Sequence, residues 1–156
     1  MASTNLSDYD KSTIPNAKHF RFGIVVSEWN TSITDNLFKG AYQALLENGT
    51  LKDNITRINV PGSFELIYGC KHLLKKGDFD AIIAIGSVIQ GETKHFDFVC
   101  EAVSQGIKDL NLHYDIPTIF CVLTDDTMQQ SIDRSGGKLG NKGIESAIAA
   151  IKMAAL

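Results

Sequence analysis

The chain has 156 residues, of which 44% are hydrophobic and 21% are charged, and its net charge is −3. These values are typical of one globular domain, which can bury roughly 70% of its unfolded surface. The small negative charge excludes a basic field for nucleic acid or acidic lipid, so we expect neither partner. The longest apolar stretch, 81–89, is too short to span a membrane, and the N-terminus lacks the apolar core of a signal peptide. Both features predict a cytoplasmic protein.

A polar segment without periodicity, residues 1–18, precedes the regular part of the chain. We predict a flexible N-terminal arm that only a neighbouring subunit would order, followed by one domain over 19–156. The domain alternates apolar runs, typical of buried strands, with segments whose apolar residues recur at helical spacing. The predicted elements in order are a strand over 21–29, a helix ending at 48–49, a strand over 55–60, a helix over 63–76, a strand over 81–89, a helix over 93–111, a strand over 117–124, a short helix over 127–135 and a closing helix after 140.

This alternation predicts a parallel sheet with helices on both faces, joined by right-handed crossovers. Ligands of such sheets bind beyond the carboxyl ends of the strands. The segments at those ends are 27–31, 61–65, 87–95 and the region after Thr124. The candidate site residues are therefore sought there.

The first two strand ends carry side chains suited to a ring and a polyol. Trp29, the only tryptophan, offers a flat face for a heteroaromatic ring or packs as a rim residue on the next helix. In Pro61–Glu65 a glycine admits a ligand close to the backbone, and a helix turn presents free N–H groups. Glu65 either accepts hydrogen bonds from hydroxyl groups or balances the helix dipole. The residues alone leave these alternatives open.

The third strand end is the most informative. Gly91-Glu92-Thr93 opens a helix, where free N–H groups and the helix dipole bind phosphate. His95 follows within one turn and can exchange protons near neutral pH. We interpret this segment as a phosphate site beside an acid–base residue.

Other candidate positions are ambiguous from the residues alone. Arg134 ends the short helix and either grips phosphate with its forked guanidinium or is an exposed helix-end cation. Phe120, within the fourth strand, is typical of a core residue. The loop over 135–143 lacks the endings of a P-loop and of a dinucleotide fingerprint, so neither is predicted. No pair of His or Cys residues has metal-ligand spacing, and we predict no metal.

Four segments resemble the lumazine synthase family, in that family's order. They are SEWNTSIT (27–34), VPGSFE (60–65), GSVIQGETKHFDFVC (86–100) and GNKG (140–143). The third is the most specific, with a glycine, a small residue, two aliphatics, a polar residue, a glycine, x-T-x-H and an aromatic-acidic-aromatic run. The likeness covers about residues 20–156 and implies a three-layer α/β/α sandwich with a four-stranded parallel, flavodoxin-like sheet.

The resemblance implies a riboflavin-pathway transferase that condenses 5-amino-6-(D-ribitylamino)uracil with 3,4-dihydroxy-2-butanone 4-phosphate. The products are 6,7-dimethyl-8-ribityllumazine, phosphate and water. The imine forms between the two substrates, so no enzyme lysine, metal or organic cofactor is implied. The family also implies homopentamers with sites at subunit interfaces and a functional link to riboflavin synthase. The short SGGKLGN link (135–141) is similar to that of relatives that form a 60-subunit icosahedral shell, which favours a shell here.

The resemblance also assigns roles by position. The residues that would bind the pyrimidine and its ribityl chain are Trp29, Ser63, Phe64, Glu65, Ser87, Val88 and Ile89, with Phe120 and Lys142 reaching in from an adjacent subunit. Backbone N–H groups of Glu92 and Thr93 would cradle the phosphate, and Arg134 of an adjacent subunit would clamp it. His95 would be the catalytic residue that shuttles protons.

Two departures from the family pattern lie next to the predicted phosphate site. Gln90 stands where many relatives carry a basic residue, and Glu92 stands where they often have a small one. A carboxylate facing phosphate would repel it. We therefore expect the Glu92 side chain to point to solvent.

Three other functions share such a scaffold. A phospho-receiver signalling domain needs an aspartate at the end of the third strand, which here ends Gly86-Ser87-Val88. A non-catalytic lumazine or flavin carrier, or a shell protein, needs neither His95 nor Arg134. An archaeal-type riboflavin synthase would use two lumazine molecules, so the predicted phosphate site favours lumazine synthase.

Overall fold

The computed structural model describes residues 5–156, and most of that chain lies in strands and helices. The main strands are β1 (Phe22–Ser27), β2 (Ile55–Val60), β3 (Ala81–Ile89) and β4 (Thr118–Asp125). The helices are α1 (Thr31–Glu47), α2 (Leu66–Leu74), α3 (His95–His113), α4 (Met128–Arg134) and α5 (Lys142–Ala154). Short 3-10 turns occupy Lys11–Thr13 and Lys52–Asn54.

The four main strands form one parallel sheet in the order β2-β1-β3-β4. The two central strands, β1 and β3, are buried almost throughout, which explains their continuous apolar sequences. Helices α1 and α5 cover one face, and α2 and α3 cover the other. The predicted three-layer α/β/α architecture with a four-stranded parallel sheet is confirmed.

Two short strands were missing from the sequence-based expectation. Residues 135–141 were expected to link two helices, but β5 (Ser135–Gly137) pairs antiparallel with β6 (Gly140–Asn141). Gly136 and Gly140 make this turn possible because both have positive φ, 118° and 83°, which glycine adopts without steric cost. The pairing fixes the path of the chain from α4 to α5.

Helix α5 begins in very close contact with α1. A Cβ atom on Gly143 would lie 1.9 Å from the Leu37 carbonyl oxygen, and one on Gly40 would lie 2.5 Å from the Asn141 side chain. The Asn141 amide donates a hydrogen bond to the Asn36 carbonyl at 2.9 Å. These contacts leave room only for glycine and hold the start of α5 on α1.

The described part of the N-terminal segment, residues 5–18, lies against the domain. The Leu6 N–H donates to the Leu139 carbonyl at 2.7 Å, and Ser7 Oγ accepts from the Asn141 N–H at 2.8 Å. Ala17 is fully buried, and its N–H donates to the Asn48 carbonyl at 3.0 Å. The first four residues of the predicted arm lie outside the described residues. The arm's flexibility and its ordering by a neighbouring subunit stay predictions.

The three cysteines are free thiols at two depths. Cys70 and Cys121 are fully buried and Cys100 is half-buried. Burial raises the pKa of Cys121 to about 11 and raises that of Cys70 as well.

None of the helices within residues 5–156 is long and apolar enough to cross a membrane.

The α1–α5 contact predicts a strong effect of one added methyl group. Gly143→Ala should lower the free energy of unfolding by about 2–3 kcal/mol, because the new Cβ atom would overlap the Leu37 carbonyl. Urea denaturation measures the change. Gly91→Ala is the matched control, since no atom lies within 4 Å of its added Cβ, and it should change stability by less than about 0.5 kcal/mol. Equal stability of the two variants would contradict the close packing of Gly143 against the Leu37 carbonyl.

Candidate functional site

The parallel register brings the carboxyl ends of all four main strands to one edge of the sheet. Ser27 at the end of β1 pairs with Val60 at the end of β2, and Ile89 at the end of β3 pairs with Asp125 at the end of β4. The segments that follow these strands therefore meet at the same edge. This is the place where parallel sheets bind ligands.

Trp29 and Glu65 flank the same glycine. A Cβ atom on Gly62 would lie 3.3 Å from Trp29 Cδ1 and 2.9 Å from Glu65 Oε2. The backbone N–H of Trp29 donates a hydrogen bond to the Pro61 carbonyl at 3.2 Å, which holds the two segments together. Trp29 is 72% exposed, and Phe64, which precedes Glu65 in the chain, is also exposed. An open aromatic face thus lies next to a carboxylate, as a ligand with a ring and hydroxyl groups would need.

Two buried serines lie beneath this surface. Ser63 Oγ would be 2.7 Å from a Cβ atom on Gly86, and within residues 5–156 it has no hydrogen-bond partner. Ser87 Oγ lies 3.4 Å from Ser131 Oγ on α4. Val88 and Ile89, which complete β3, are half-buried. An unpartnered buried hydroxyl is costly without a ligand or water, so Ser63 is a candidate ligand contact.

The predicted phosphate segment is open. No atom lies within 4 Å of a Cβ atom placed on Gly91, and both Glu92 and Thr93 are exposed. Helix α3 begins at His95, two residues later than predicted, and the His95 N–H donates to Thr93 Oγ1 at 3.3 Å. The His95 side chain is exposed at the first turn. The geometry is that of a free helix N-terminus, which favours an anion.

Arg134 lies at the same edge, at the end of α4. Its Nη1 atom is 3.8 Å from Asp125 Oδ1 and donates to the Gln130 carbonyl at 3.4 Å. The Asp125 carbonyl in turn accepts from the Gln90 N–H at 2.9 Å. The arginine is thereby linked to the start of the phosphate segment.

Phe120 and Lys142 are placed elsewhere in the chain. Phe120 is opposite Ala84, five residues before the end of β4, and thus about 16 Å from that edge along the strand. It is 37% exposed on an edge strand. Lys142 is the first residue of α5, where its Nζ pairs with Glu145. Within one chain, Phe120 and Lys142 therefore do not lie next to the Trp29–Glu65 pair.

Asn30 is a site residue that the sequence reasoning missed. It is the only non-glycine residue among 5–156 with positive φ, 57°, and its side-chain amide donates to the Ser87 carbonyl at 2.9 Å. Asparagine tolerates this conformation better than most residues, so an Asn between a strand and a helix was the available signal. Asn30 ties the end of β1 to the end of β3.

Within residues 5–156, no group of three or more His, Cys, Asp or Glu side chains could hold a metal ion. The site consists of an aromatic face, a carboxylate, buried hydroxyls and an open helix N-terminus. Together with the fold, these groups are typical of the class of α/β/α domains that bind small polar ligands at the carboxyl edge of the sheet.

The sequence model of the 6,7-dimethyl-8-ribityllumazine synthase family matches residues 19–156. The 6,7-dimethyl-8-ribityllumazine synthase of Christiangramia forsetii is 70% identical over 153 residues, which are 97% of this chain and 91% of that protein. The synthase of Flavobacterium johnsoniae is 70% identical over 96% of this chain and 79% of that protein. That of Parabacteroides distasonis is 53% identical over 97% of this chain and 95% of that protein. The chain belongs to the 6,7-dimethyl-8-ribityllumazine synthase family.

Two substitutions at Asn30 separate the contribution of its hydrogen bond to stability from that of its backbone conformation. Asn30→Ala should lower the free energy of unfolding by about 2 kcal/mol, because it loses the hydrogen bond to Ser87 and strains the backbone. Asn30→Gly loses the same hydrogen bond but adopts positive φ freely, so it should cost about 1 kcal/mol less. Urea denaturation of both variants measures the difference. Equal losses would show that the backbone at this position is unstrained.

Proposed function

We propose that this chain is a 6,7-dimethyl-8-ribityllumazine synthase that condenses 5-amino-6-(D-ribitylamino)uracil with 3,4-dihydroxy-2-butanone 4-phosphate. The products are 6,7-dimethyl-8-ribityllumazine, phosphate and water. The observation that carries the proposal is the meeting of the Trp29–Glu65 pair and the open helix start over 91–95 at one sheet edge, in a member of this family.

The pyrimidine substrate binds to the half of the edge formed after β1 and β2. Trp29 stacks on the ring, since its face is open, and Glu65 accepts hydrogen bonds from the ribityl hydroxyls. Ser63 and Phe64 complete the ribityl contact. Backbone groups of Ser87, Val88 and Ile89 line the pyrimidine edge.

The phosphorylated substrate binds beyond β3. The N–H groups of Glu92 and Thr93 face the phosphate, and the helix dipole of α3 favours its negative charge. The exposed Glu92 side chain can stay in water, which avoids repulsion. Arg134 adds a fixed positive charge with a forked geometry that suits phosphate oxygens.

Positioning supplies most of the rate. The imine forms between the two substrates, phosphate is then eliminated and the ring closes, so no step needs a covalent bond to the enzyme. Holding two reactants in one orientation can contribute about 7–11 kcal/mol. Proton transfer by His95 at the edge of the phosphate site contributes a further factor of about 10²–10⁴.

The site is completed by an adjacent subunit of a homopentamer. Phe120, Lys142 and Arg134 are the residues that the neighbour supplies, and the exposed Phe120 on an edge strand supports this role. The short segment over 135–141 favours assembly of twelve pentamers into a 60-subunit shell, which sedimentation distinguishes from the free pentamer. In this assembly 19–156 is the synthase domain and 1–18 is the arm. We place the enzyme in the cytoplasm, in functional linkage with riboflavin synthase.

The test is direct. Purified protein is mixed with both substrates, and lumazine absorbance is followed against a control without enzyme. Saturable formation above background supports the proposal. Absence of any rate above background, from folded and oligomeric protein, would favour a non-catalytic lumazine or flavin carrier or shell protein instead.

Replacement of the proton-transfer residue should leave measurable catalysis. His95→Ala should lower kcat by no more than about 10²–10⁴-fold, because positioning is retained. His113→Ala, at the exposed far end of the same helix, is the matched control and should match the unmodified enzyme. Steady-state kinetics measure both variants. Complete loss of activity in His95→Ala, with the pyrimidine still bound, would contradict the dominance of positioning.

A further inference from the structure

Asp125 ties the end of the sheet to α4 through its carboxylate. Its side chain is almost fully buried, Oδ2 accepts a hydrogen bond from Ser131 Oγ at 2.7 Å, and Oδ1 lies 3.8 Å from Arg134 Nη1. Ser131 and Arg134 are three residues apart and so share one side of the helix. One carboxylate therefore holds both ends of a single helical turn.

Burial of the Asp125 carboxylate favours the contacts that it makes with Ser131 and Arg134. Ser131 is fully buried, and its hydroxyl is also 3.4 Å from Ser87 Oγ on β3. A buried carboxylate is unfavourable unless it is hydrogen-bonded and paired with a positive charge. Among residues 5–156, Arg134 is the cation with which Asp125 forms an ion pair. Movement of the guanidinium away from Asp125 would leave that charge uncompensated.

The same residue is joined to the phosphate segment through its backbone. The Asp125 carbonyl accepts from the Gln90 N–H at 2.9 Å, one residue before Gly91. Asp125 thus fixes the start of this chain's phosphate segment and the arginine of α4 at the same time.

The contact with Asp125 occupies only some of the hydrogen-bond donors of Arg134. Guanidinium has five N–H donors in a planar fork, and within residues 5–156 the polar contacts of Arg134 are made by Nη1. The side chain is 38% exposed. The carboxylate can therefore set the plane of the guanidinium while the remaining donors stay free for a phosphate.

We propose that Asp125 is a positioning residue, which acts through Arg134 to orient the guanidinium toward the substrate phosphate, with Ser131 holding the carboxylate in place. The inference rests on the proposed phosphate-binding role of Arg134. It predicts that loss of the Asp125 charge weakens phosphate binding. Simple charge repulsion predicts the opposite, because removal of a negative charge would strengthen the binding of an anion.

The test measures inhibition by inorganic phosphate and the KM of each substrate. Asp125→Asn retains an oxygen for the Ser131 hydrogen bond and removes the charge. It should weaken phosphate inhibition and raise the KM of the phosphorylated substrate about 3- to 10-fold, while the pyrimidine KM changes by less than about twofold. Asp133→Asn is the matched control, because Asp133 is the buried carboxylate of α4 itself and pairs with Lys138 at 3.0 Å. It should leave both values unchanged.

Arg134→Ala and the double variant with Asp125→Asn show whether Asp125 acts through the arginine. Once Arg134 is absent, Asp125→Asn should have no further effect on phosphate inhibition. The proposed role of Asp125 is wrong if Asp125→Asn weakens phosphate inhibition equally when Arg134 is absent. It is also wrong if Asp125→Asn tightens phosphate binding, or if Asp133→Asn weakens phosphate inhibition as much as Asp125→Asn does. Unchanged phosphate inhibition in Arg134→Ala would instead refute the phosphate role of the arginine itself.

Circular dichroism and native mass establish that each variant is folded and assembled. If Asp125→Asn does not fold, Ser131→Ala keeps the test decisive, because it preserves the charge and frees the carboxylate. It should weaken phosphate inhibition in the same direction by a smaller factor. No change in a folded Ser131→Ala would overturn the inference.

Discussion

The parallel pairing of β1 with both β2 and β3 constrains the rest of the molecule. It buries β1 in the middle of the sheet, so both faces need helices, and α1, α5, α2 and α3 supply them. Together with the parallel pairing of β3 with β4, it brings the carboxyl ends of all four main strands to one edge. The loops and helix starts that follow the strands therefore lie together beyond that edge, where parallel sheets bind their ligands.

The edge of one chain contains only part of the proposed site. Trp29, Glu65 and the helix start over 91–95 lie at one sheet edge of a single chain, whereas Phe120 and Lys142 lie elsewhere in it. A reaction whose rate comes from holding two substrates in one orientation is sensitive to every wall of its site. We infer that a second copy supplies the missing wall. Asp125 would then fix the arginine that one copy offers to the next.

The sequence predicted the elements that carry a local signal. β2 has its predicted bounds, 55–60, although it is a partly exposed edge strand, because Pro61-Gly62 ends it. β3 has the predicted bounds, 81–89, and the apolar residues of α1 that recur at helical spacing are buried. A strand covered on both faces is apolar along its whole length, and a covered helix repeats its apolar residues every three or four positions. Both signals are local, so they can be read without the fold.

The features that could not be predicted depend on contacts between distant segments. β5 and β6 are three and two residues long, too short for any periodicity. The Asn30 bond to Ser87 joins positions 57 residues apart. The Asp125 carboxylate finds Ser131 and Arg134 only because α4 folds back over the strand end. From the sequence, Arg134 was equally well an exposed cation.

Mixed oligomers test the shared site most directly. His95→Ala and Arg134→Ala subunits are unfolded together in equal amounts, refolded, and assayed for lumazine formation beside each variant refolded alone. If each site takes His95 from one copy and Arg134 from its neighbour, about one quarter of the mixed sites carry both residues, and activity rises well above either parent. If both residues act within one chain, every site has one defect. The mixture would then show only the average of the two parents, which would contradict a site shared between two copies.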